Sequence, residues 1–411
     1  MIKLFYYVLC SLTLLYGLYF IITAMFAFKK NTKEEIKSNK TNNFAILIAA
    51  RNEQYVIGNL IDSLKHQNYP SESFEVYTII NNCTDNTLTI AKEHEAKVIV
   101  CKDKINSKGD ALNYAFKKLK NNKNIDAYLI FDADNIVDPN FLMEMNKAIN
   151  MGYNVAQGFR ESKNLNDNWL SGSYSLYYYL QNFFFNKARN NINLSSSING
   201  TAFMVKKSII DSKGFNVKTL TEDVEFTAIC SLNDEKIAFV ENAITYDEQP
   251  ISFAVSFKQR KRWTKGVLQC LKYYHRPLIK KVIKEKSICA LDILLIFFAP
   301  IIQIVSFSLT TILILFQMYG IKLDDIFSYY FLLGIFFFLT TYLIGVIINM
   351  YIIKYNKHKI KESISGIFLF SFFIYTWVPI NFLCLFKKNI VWESVSHTRN
   401  VKINELITEN K

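Results

Sequence analysis

Two pairs of carboxylates and one basic, aromatic run have the residue types that chemistry on a charged substrate needs. Asp132 and Asp134 alternate at the end of the apolar run Ala127 to Phe131, so both side chains can point to the same side. Carboxylates that close repel unless a cation lies between them. Hard oxygen ligands of this kind suit Mg²⁺ or Mn²⁺ carrying a diphosphate. Taken alone the pair also fits an ordinary acidic surface. Thr221-Glu222-Asp223 precedes a helical apolar pattern (Val224, Phe226, Ile229, Leu232). Acidic residues there favour a helix start through the dipole, and a carboxylate there can also act as a general base toward a hydroxyl. Gln259-Arg-Lys-Arg-Trp263 lies within the basic, amphipathic stretch Phe253 to Tyr274. Such a stretch suits a membrane surface; within it, Arg262 can grip a diphosphate in bidentate fashion and Trp263 offers a flat face to a sugar ring.

The elements that must position these groups are legible from pattern. Phe44 to Ala50 is a continuous apolar run of strand length, ended by Arg51-Asn52-Glu53. Tyr55 to His66 has helical spacing, and Glu75 to Ile80 reads as the next strand. Asn81 to Thr87 is a polar turn opening a helix, Lys97 to Cys101 a third strand, and Lys108 to Asn113 the start of another helix. Ala127 to Phe131 is the fourth strand. Strands alternating with helices predict an α/β domain with a mostly parallel sheet, whose ligands bind beyond the C-terminal strand edges. The polar clusters all fall at that edge.

Apolar residues gather at the two ends of the chain. Leu4 to Phe28 is uncharged over 25 residues, about 37 Å as a helix against the ~30 Å hydrocarbon core. A cleaved signal peptide fits poorly, because only Lys3 precedes the run and no small-x-small site follows. Three later runs, Ile293 to Ile321, Ile326 to Ile353 and Ser363 to Phe386, are each long enough to span, and Pro300 and Pro379 interrupt two of them. The expected organisation is a membrane anchor (1–28), a basic linker (29–43), a soluble domain (44–250), an interfacial segment (251–287), a membrane region (288–386) and a polar tail (387–411). Lys29, Lys30, Lys33, Lys37 and Lys40 follow the first run, and Lys280, Lys281, Lys284 and Lys286 precede the second, which puts the domain on the cytoplasmic side of a cell membrane. Three late spans would leave the tail outside, whereas Lys387-Lys388 argue that it is inside. A re-entrant or interfacial run, one of the two with proline, removes the conflict.

Composition narrows the partners. A chain of 411 residues with 51% hydrophobic and 15% aromatic residues is not disordered. Mean hydropathy of +0.11 excludes a membrane protein throughout. Seven Cys without CxxC spacing and five scattered His give neither a zinc site nor a disulfide framework. The net charge of +13 gathers beside the apolar runs, which points to anionic lipid and a nucleotide diphosphate and not to nucleic acid.

In combination the motifs resemble the membrane-bound family 2 glycosyltransferases, the group containing hyaluronan, chitin, cellulose and poly-N-acetylglucosamine synthases. The Asn-Cys-Thr-Asp turn, Asp132-Ala-Asp134, Thr221-Glu-Asp223 and Gln259-x-x-Arg-Trp263 occur in the family's order. The resemblance implies a GT-A fold set between an N-terminal membrane helix and a C-terminal helix bundle. It also implies inverting transfer from a UDP-sugar to an acceptor hydroxyl. By the same resemblance Asp132 and Asp134 hold the metal and diphosphate, and Asp223, with Glu222 beside it, supplies the base. Gln259, Arg262 and Trp263 then border the donor diphosphate and acceptor, Ala50, Asn52 and Glu53 line the uridine pocket, and Lys108 lies near the phosphates. Gly200 and Thr201 fall near the acceptor, where glycine permits close backbone approach. One departure is Asn81, where the family commonly has an Asp, with Asp85 further on; an Asn side chain can still pair with uracil. The expected activity is a processive β-linked polysaccharide synthase. The alternative is single transfer to a lipid such as diacylglycerol or polyprenyl phosphate. Four spans are few for a polymer pore in one subunit, which leaves room for a homo-oligomer. A non-catalytic nucleotide-sugar sensor would be expected to lack Asp134 or Asp223, and both are present.

Overall fold

The computed structural model describes residues 2–29, 40–102, 105–318, 325–387, 399–401, 403 and 405–406. Lys30, Lys33, Lys37 and Lys388 of the charge argument lie outside the described residues. The chain begins with helix α1 (Ile2–Met25). Eight strands follow: β1 (Phe44–Ala50), β2 (Phe74–Ile80), β3 (Lys97–Val100), β4 (Ala127–Asp132), β5 (Ile136–Val137), β6 (Val155–Ser162), β7 (Phe203–Lys206) and β8 (Ile237–Asp247). Between them come α2 (Ile57–Lys65), α3 (Thr87–Glu93), α4 (Lys108–Leu119), α5 (Phe141–Asn150), α6 (Trp169–Leu180), α7 (Ala188–Asn191), α8 (Lys207–Lys213) and α9 (Glu222–Leu232). The C-terminal part is helical: α10 (Phe253–Glu285), α11 (Ile288–Met318), α12 (Asp325–Tyr355), α13 (Ile364–Tyr375) and α14 (Trp377–Phe386).

The strands form one sheet in the order β3-β2-β1-β4-β7-β6-β8-β5. β1 lies in the parallel part between β2 and β4, in register from Phe44 opposite Phe74 and Ala127. β7 runs antiparallel to both β4 and β6, a reversal that the apolar runs alone do not reveal. Strand alternation splits the core in two. Ile46 and Ile48 pack with Leu60, Ile61 and Met145 on one face, while Ala45 and Leu47 pack with Leu112, Phe116 and Phe226 on the other. Helices on both faces leave the C-terminal ends of β1 and β4 open at one edge.

A buried ion pair ties α11 to this domain, and the apolar anchor joins it through one hydroxyl. Arg189 donates to Asp292 through Nε (2.7 Å) and Nη2 (2.9 Å), and Tyr19 of α1 donates to the same carboxylate at 2.7 Å. The guanidinium also lies 3.5 Å from the Phe185 ring centroid. Both charges are almost wholly buried, so removing either leaves an uncompensated ion, at a cost of about 3–5 kcal/mol.

Pro300 sits inside α11 without ending it. The last apolar run behaves differently. It divides at Thr376 into α13 and α14, the longer of which is about 18 Å at 1.5 Å per residue. The division fits Pro379, which has no N–H to bond the preceding turn. Meanwhile Thr376 donates to the Phe373 carbonyl (2.6 Å) and accepts from Arg260 Nη1 (2.6 Å). Before the run, His358 meets Glu161 at 3.3 Å, and Ser363 donates to Asn166 at 3.3 Å. After it, Lys265 donates to the Lys387 carbonyl at 2.7 Å. Near its start, a Cβ on Gly366 would come within 2.9 Å of Gly172, so α13 lies directly on α6. The start of the run therefore meets the soluble domain, and its end meets the interfacial helix α10. The tail returns to the soluble domain: Val401, Ile403 and Leu406 pack on Ile136, Ile244 and Tyr246.

Candidate active site

The open edge of the sheet, the start of α9 and helices α10, α11 and α14 enclose a cavity of about 840 Å³. Its wall includes Ala50, Glu53, Asn81, Lys108, Asp132, Asp134, Gly200, Glu222, Asp223, Gln259, Arg262 and Trp263. Residues spread over more than two hundred positions are thus brought to one space.

The centre is organised by Lys108, in the first turn of α4, whose N-cap Ser107 accepts from the Asp110 N–H. Its ammonium is ion-paired with Asp132, donates to the Gly200 carbonyl at 2.6 Å and lies 3.9 Å from Glu222. Burial works against the charge of Lys108, but Asp132, Glu222 and Asp223 together hold its pKa above the ordinary value. The turn after β4 is fixed from behind. The Asp132 N–H bonds Thr201 Oγ1 (3.0 Å) and Asn135 Oδ1 (3.1 Å), and the Thr201 hydroxyl donates to Asn135. Thr201 is fully buried, so it positions Asp132 from behind the cavity wall. Asp134, on the same cavity wall, accepts from the Glu248 N–H at 3.2 Å.

The second carboxylate pair opens α9. Glu225 fixes the preceding loop by accepting from the N–H groups of Lys218 (2.7 Å) and Thr219 (2.6 Å) and from the Tyr274 hydroxyl (2.6 Å). A Cβ on Gly266 would overlap Thr221, so α10 presses directly on this loop. Gly200 has φ +82°, and a Cβ there would stand 3.4 Å from Asp223 Oδ2. Glycine keeps the space before that oxygen open. Burial and the neighbouring Asp223 push Glu222 up to about 7, against the pull of Lys108 and Arg262. Burial raises Asp223 as well, opposed by the Val224 N–H, Arg262 and Lys108.

Arg262 donates to the Leu220 carbonyl at 3.2 Å, bringing its charge to the start of α9. Trp263 packs edge-on to Tyr174 and Tyr178 and lies 6.4 Å from Trp377, ring centroid to centroid. The Gln259 and Asn81 side-chain oxygens are buried without a hydrogen-bond partner among the described residues. Asn52 and Asp85 are not on the cavity wall. Asn52, at φ +59°, accepts from the Thr84 N–H (2.8 Å), and Asp85 accepts from Thr87 and from the Gln54 N–H (3.2 Å). These two residues bind the loops after β1 and β2 to each other.

Several wall residues carry no sequence motif. Arg160 on β6 donates to the Asn199 carbonyl (2.8 Å), pairs with Asp247 and lies 3.9 Å from the Tyr178 ring centroid. Burial pushes Asp247 up to about 6 even with Arg160 beside it. Beyond Trp263 the wall continues with Tyr177, Trp377, Gln303 and Asn381. Asn381 accepts from Thr264 (2.9 Å) and donates to Gln303 (2.6 Å), a chain of polar groups reaching onto α11. The only sequence signal for these is a polar amide in an otherwise apolar run.

Among the described residues no three His, Cys, Asp or Glu converge on one point. Two carboxylates, Asp132 and Asp134, suit a divalent ion whose remaining ligands are substrate phosphate and water, the usual way Mg²⁺ is held. The donor set fits that ion.

Residues 42–266, more than half of the chain, match the sequence model described as Glycosyltransferase like family 2. The chain belongs to this family. The probable glycosyltransferase YdaM of Bacillus subtilis is 25% identical over 288 residues, covering 63% of this chain and 64% of that protein. A beta-monoglucosyldiacylglycerol synthase of Nostoc is 25% identical over 234 residues, 55% of this chain and 49% of that one. The poly-beta-1,6-N-acetyl-D-glucosamine synthase of Staphylococcus aureus is 24% identical over 271 residues, 64% of each. The chain thus spans about half to just under two-thirds of the length of these relatives. Among solved structures, the mannosyltransferase PcManGT from Pyrobaculum calidifontis, in complex with GDP-Man and Mn²⁺, superposes with a TM-score of 0.57 at 12% identity. That likeness covers 80% of this chain and 95% of the mannosyltransferase. The fold of this family 2 glycosyltransferase is GT-A, with helices long and apolar enough to cross a membrane at both ends.

Proposed function

We infer that this glycosyltransferase extends a β-linked polysaccharide, transferring sugar from a UDP-sugar to an acceptor hydroxyl with inversion and with the help of Mg²⁺ or Mn²⁺. The observation that carries this reading is the single cavity joining the nucleotide edge of the sheet to the aromatic and amide wall of α10, α11 and α14. Indole and phenol rings with amides between them suit sugar rings better than acyl chains.

The donor lies with its base toward Ala50 and Asn81, whose unpartnered oxygen can accept the uracil N–H. Its diphosphate lies between Lys108 and Arg262, which neutralise charge gathering on the leaving UDP. Asp132 and Asp134 would hold the divalent ion, which supplies Lewis acidity to the same diphosphate when bound. Asp223 takes the proton of the acceptor hydroxyl, and burial, which raises its pKa above the ordinary value, makes its carboxylate a stronger base. A single displacement turns an α-linked donor into a β-linked product.

The membrane arrangement that best fits these contacts has α1, α11 and α12 crossing and α13–α14 re-entrant. It places the catalytic domain and the tail on the cytoplasmic side, in keeping with Lys387 and with the lysines flanking α1 and α11. The second reading, single transfer to a lipid, draws on the diacylglycerol-glycosylating relatives and on the apolar stretch of wall at Ile293, Ile296 and Phe297. Incubation of the membrane-bound enzyme with radiolabelled UDP-sugars separates the two. A size ladder or high polymer supports the synthase; one organic-extractable product overturns it in favour of the lipid.

A further inference from the structure

The C-terminal tail reaches the acidic turn after β4 by a route that the catalytic motifs do not include. The Arg399 N–H donates to Glu248 Oε2 at 3.1 Å, and its guanidinium pairs with Asp167. Asp167 also accepts from Asn164 Nδ2 at 3.2 Å. Asn164 in turn holds Gln249 at both backbone groups, donating to its carbonyl (2.9 Å) and accepting from its N–H (2.8 Å). The residue between Asp247 and Gln249 is Glu248, whose own N–H bonds Asp134 at 3.2 Å. One short loop is therefore clamped on its outer side by the tail and holds Asp134 on its inner side.

The tail also supports the strand that follows this aspartate. β5 has two residues, stands at the edge of the sheet and, among the described residues, pairs with β8 alone, through Ile136 opposite Tyr246 and Val137 opposite Thr245. So short an edge pair is weak by itself. Val401, Ile403 and Leu406 cover Ile136 and Tyr246, and Asn400 accepts from Asn59 of α2 at 2.7 Å.

We propose that the tail is a working part of the site and that Arg399 is a positioning residue, fixing Asp134 through the Asp247–Gln249 loop for the phosphate-bound divalent ion. The proposal rests on the reading of Asp134 as a metal ligand. It assigns Arg399 no contact with substrate.

Arg399→Pro deletes both the backbone donor and the guanidinium, whereas Arg399→Lys keeps the donor and a cation. The test is UDP titration of the detergent-solubilised full chain with and without Mn²⁺, alongside hydrogen–deuterium exchange of the segment containing Glu248. Arg399→Pro should weaken Mn²⁺-dependent UDP affinity about tenfold, roughly 1.4 kcal/mol, with UDP affinity in the absence of Mn²⁺ unchanged. Glu248 should exchange faster, and Arg399→Lys should restore most of the affinity. Wild-type affinity in Arg399→Pro overturns the proposal, and so does an equal loss with and without Mn²⁺, which marks general destabilisation. If Asp134→Ala itself keeps the Mn²⁺ effect, the metal reading fails. The clamp is then decided by exchange alone, where unchanged protection of Glu248 overturns it.

Discussion

The two carboxylate pairs have the same chemistry in sequence and different settings in the fold. Asp132 and Asp134 close a strand; the Asp132 side chain is 39% exposed and already neutralised by Lys108. Glu222 and Asp223 open a helix, where burial raises both and Glu222 reaches about 7. A pair with one member open to water beside a cation, and the other buried at 6% exposure, suits holding another cation and its phosphates. A pair whose two carboxyls are both raised, with a glycine-lined space before one oxygen, suits taking a proton. The partners each pair meets, more than residue type, divide the labour.

Substitutions can break that division. The largest effect is expected from Asp223→Asn, which should lower transfer by about 10²–10⁴-fold while UDP binding stays within about twofold; persistent turnover would remove the base role. Trp263→Ala comes next: transfer to acceptor should fall well below UDP-sugar hydrolysis, and equal losses would mark a merely structural tryptophan. A third test sharpens the electrostatic part. Activity should fall at acid pH sooner than an ordinary aspartate base would allow, because burial raises the Asp223 carboxyl above its usual value and a protonated base accepts nothing. Lys108→Met removes a charge that lowers both acids, so the acid limb of the pH–rate profile should move to higher pH. A limb that stays or moves down contradicts the assignment. The smallest effect on the chemistry concerns the ion pair between α7 and α11. Asp292→Asn keeps the shape but leaves Arg189 without its ion partner, and should lower thermal stability with little change in the Mn²⁺ dependence of UDP binding.

Much of this was readable before the structure. The apolar runs of β1, β2 and β4 announce buried strands because a parallel sheet covered on both faces needs continuous hydrophobicity. The motifs lie at the strand ends where such a sheet must be open. What was hidden depends on partners distant in sequence. Thr201 looks like an acceptor residue beside Gly200, yet it holds Asp132 from behind. Asn52 and Asp85 look like ligands and bind two loops together. Arg160 and Asp247 are 87 positions apart and meet only because β6 and β8 pair. The last apolar run has enough residues to span, and only Pro379 hints that it divides. No local pattern announces that Arg399 returns to Glu248.

The most direct test is UDP titration, with and without Mn²⁺, of the wild type, Asp134→Ala and Asp223→Asn in one set of membranes. Mn²⁺ should strengthen UDP binding in the wild type and in Asp223→Asn and have no effect in Asp134→Ala. Loss of the Mn²⁺ effect in Asp223→Asn, or its survival in Asp134→Ala, would contradict the division of the site into an ion-holding and a proton-taking pair.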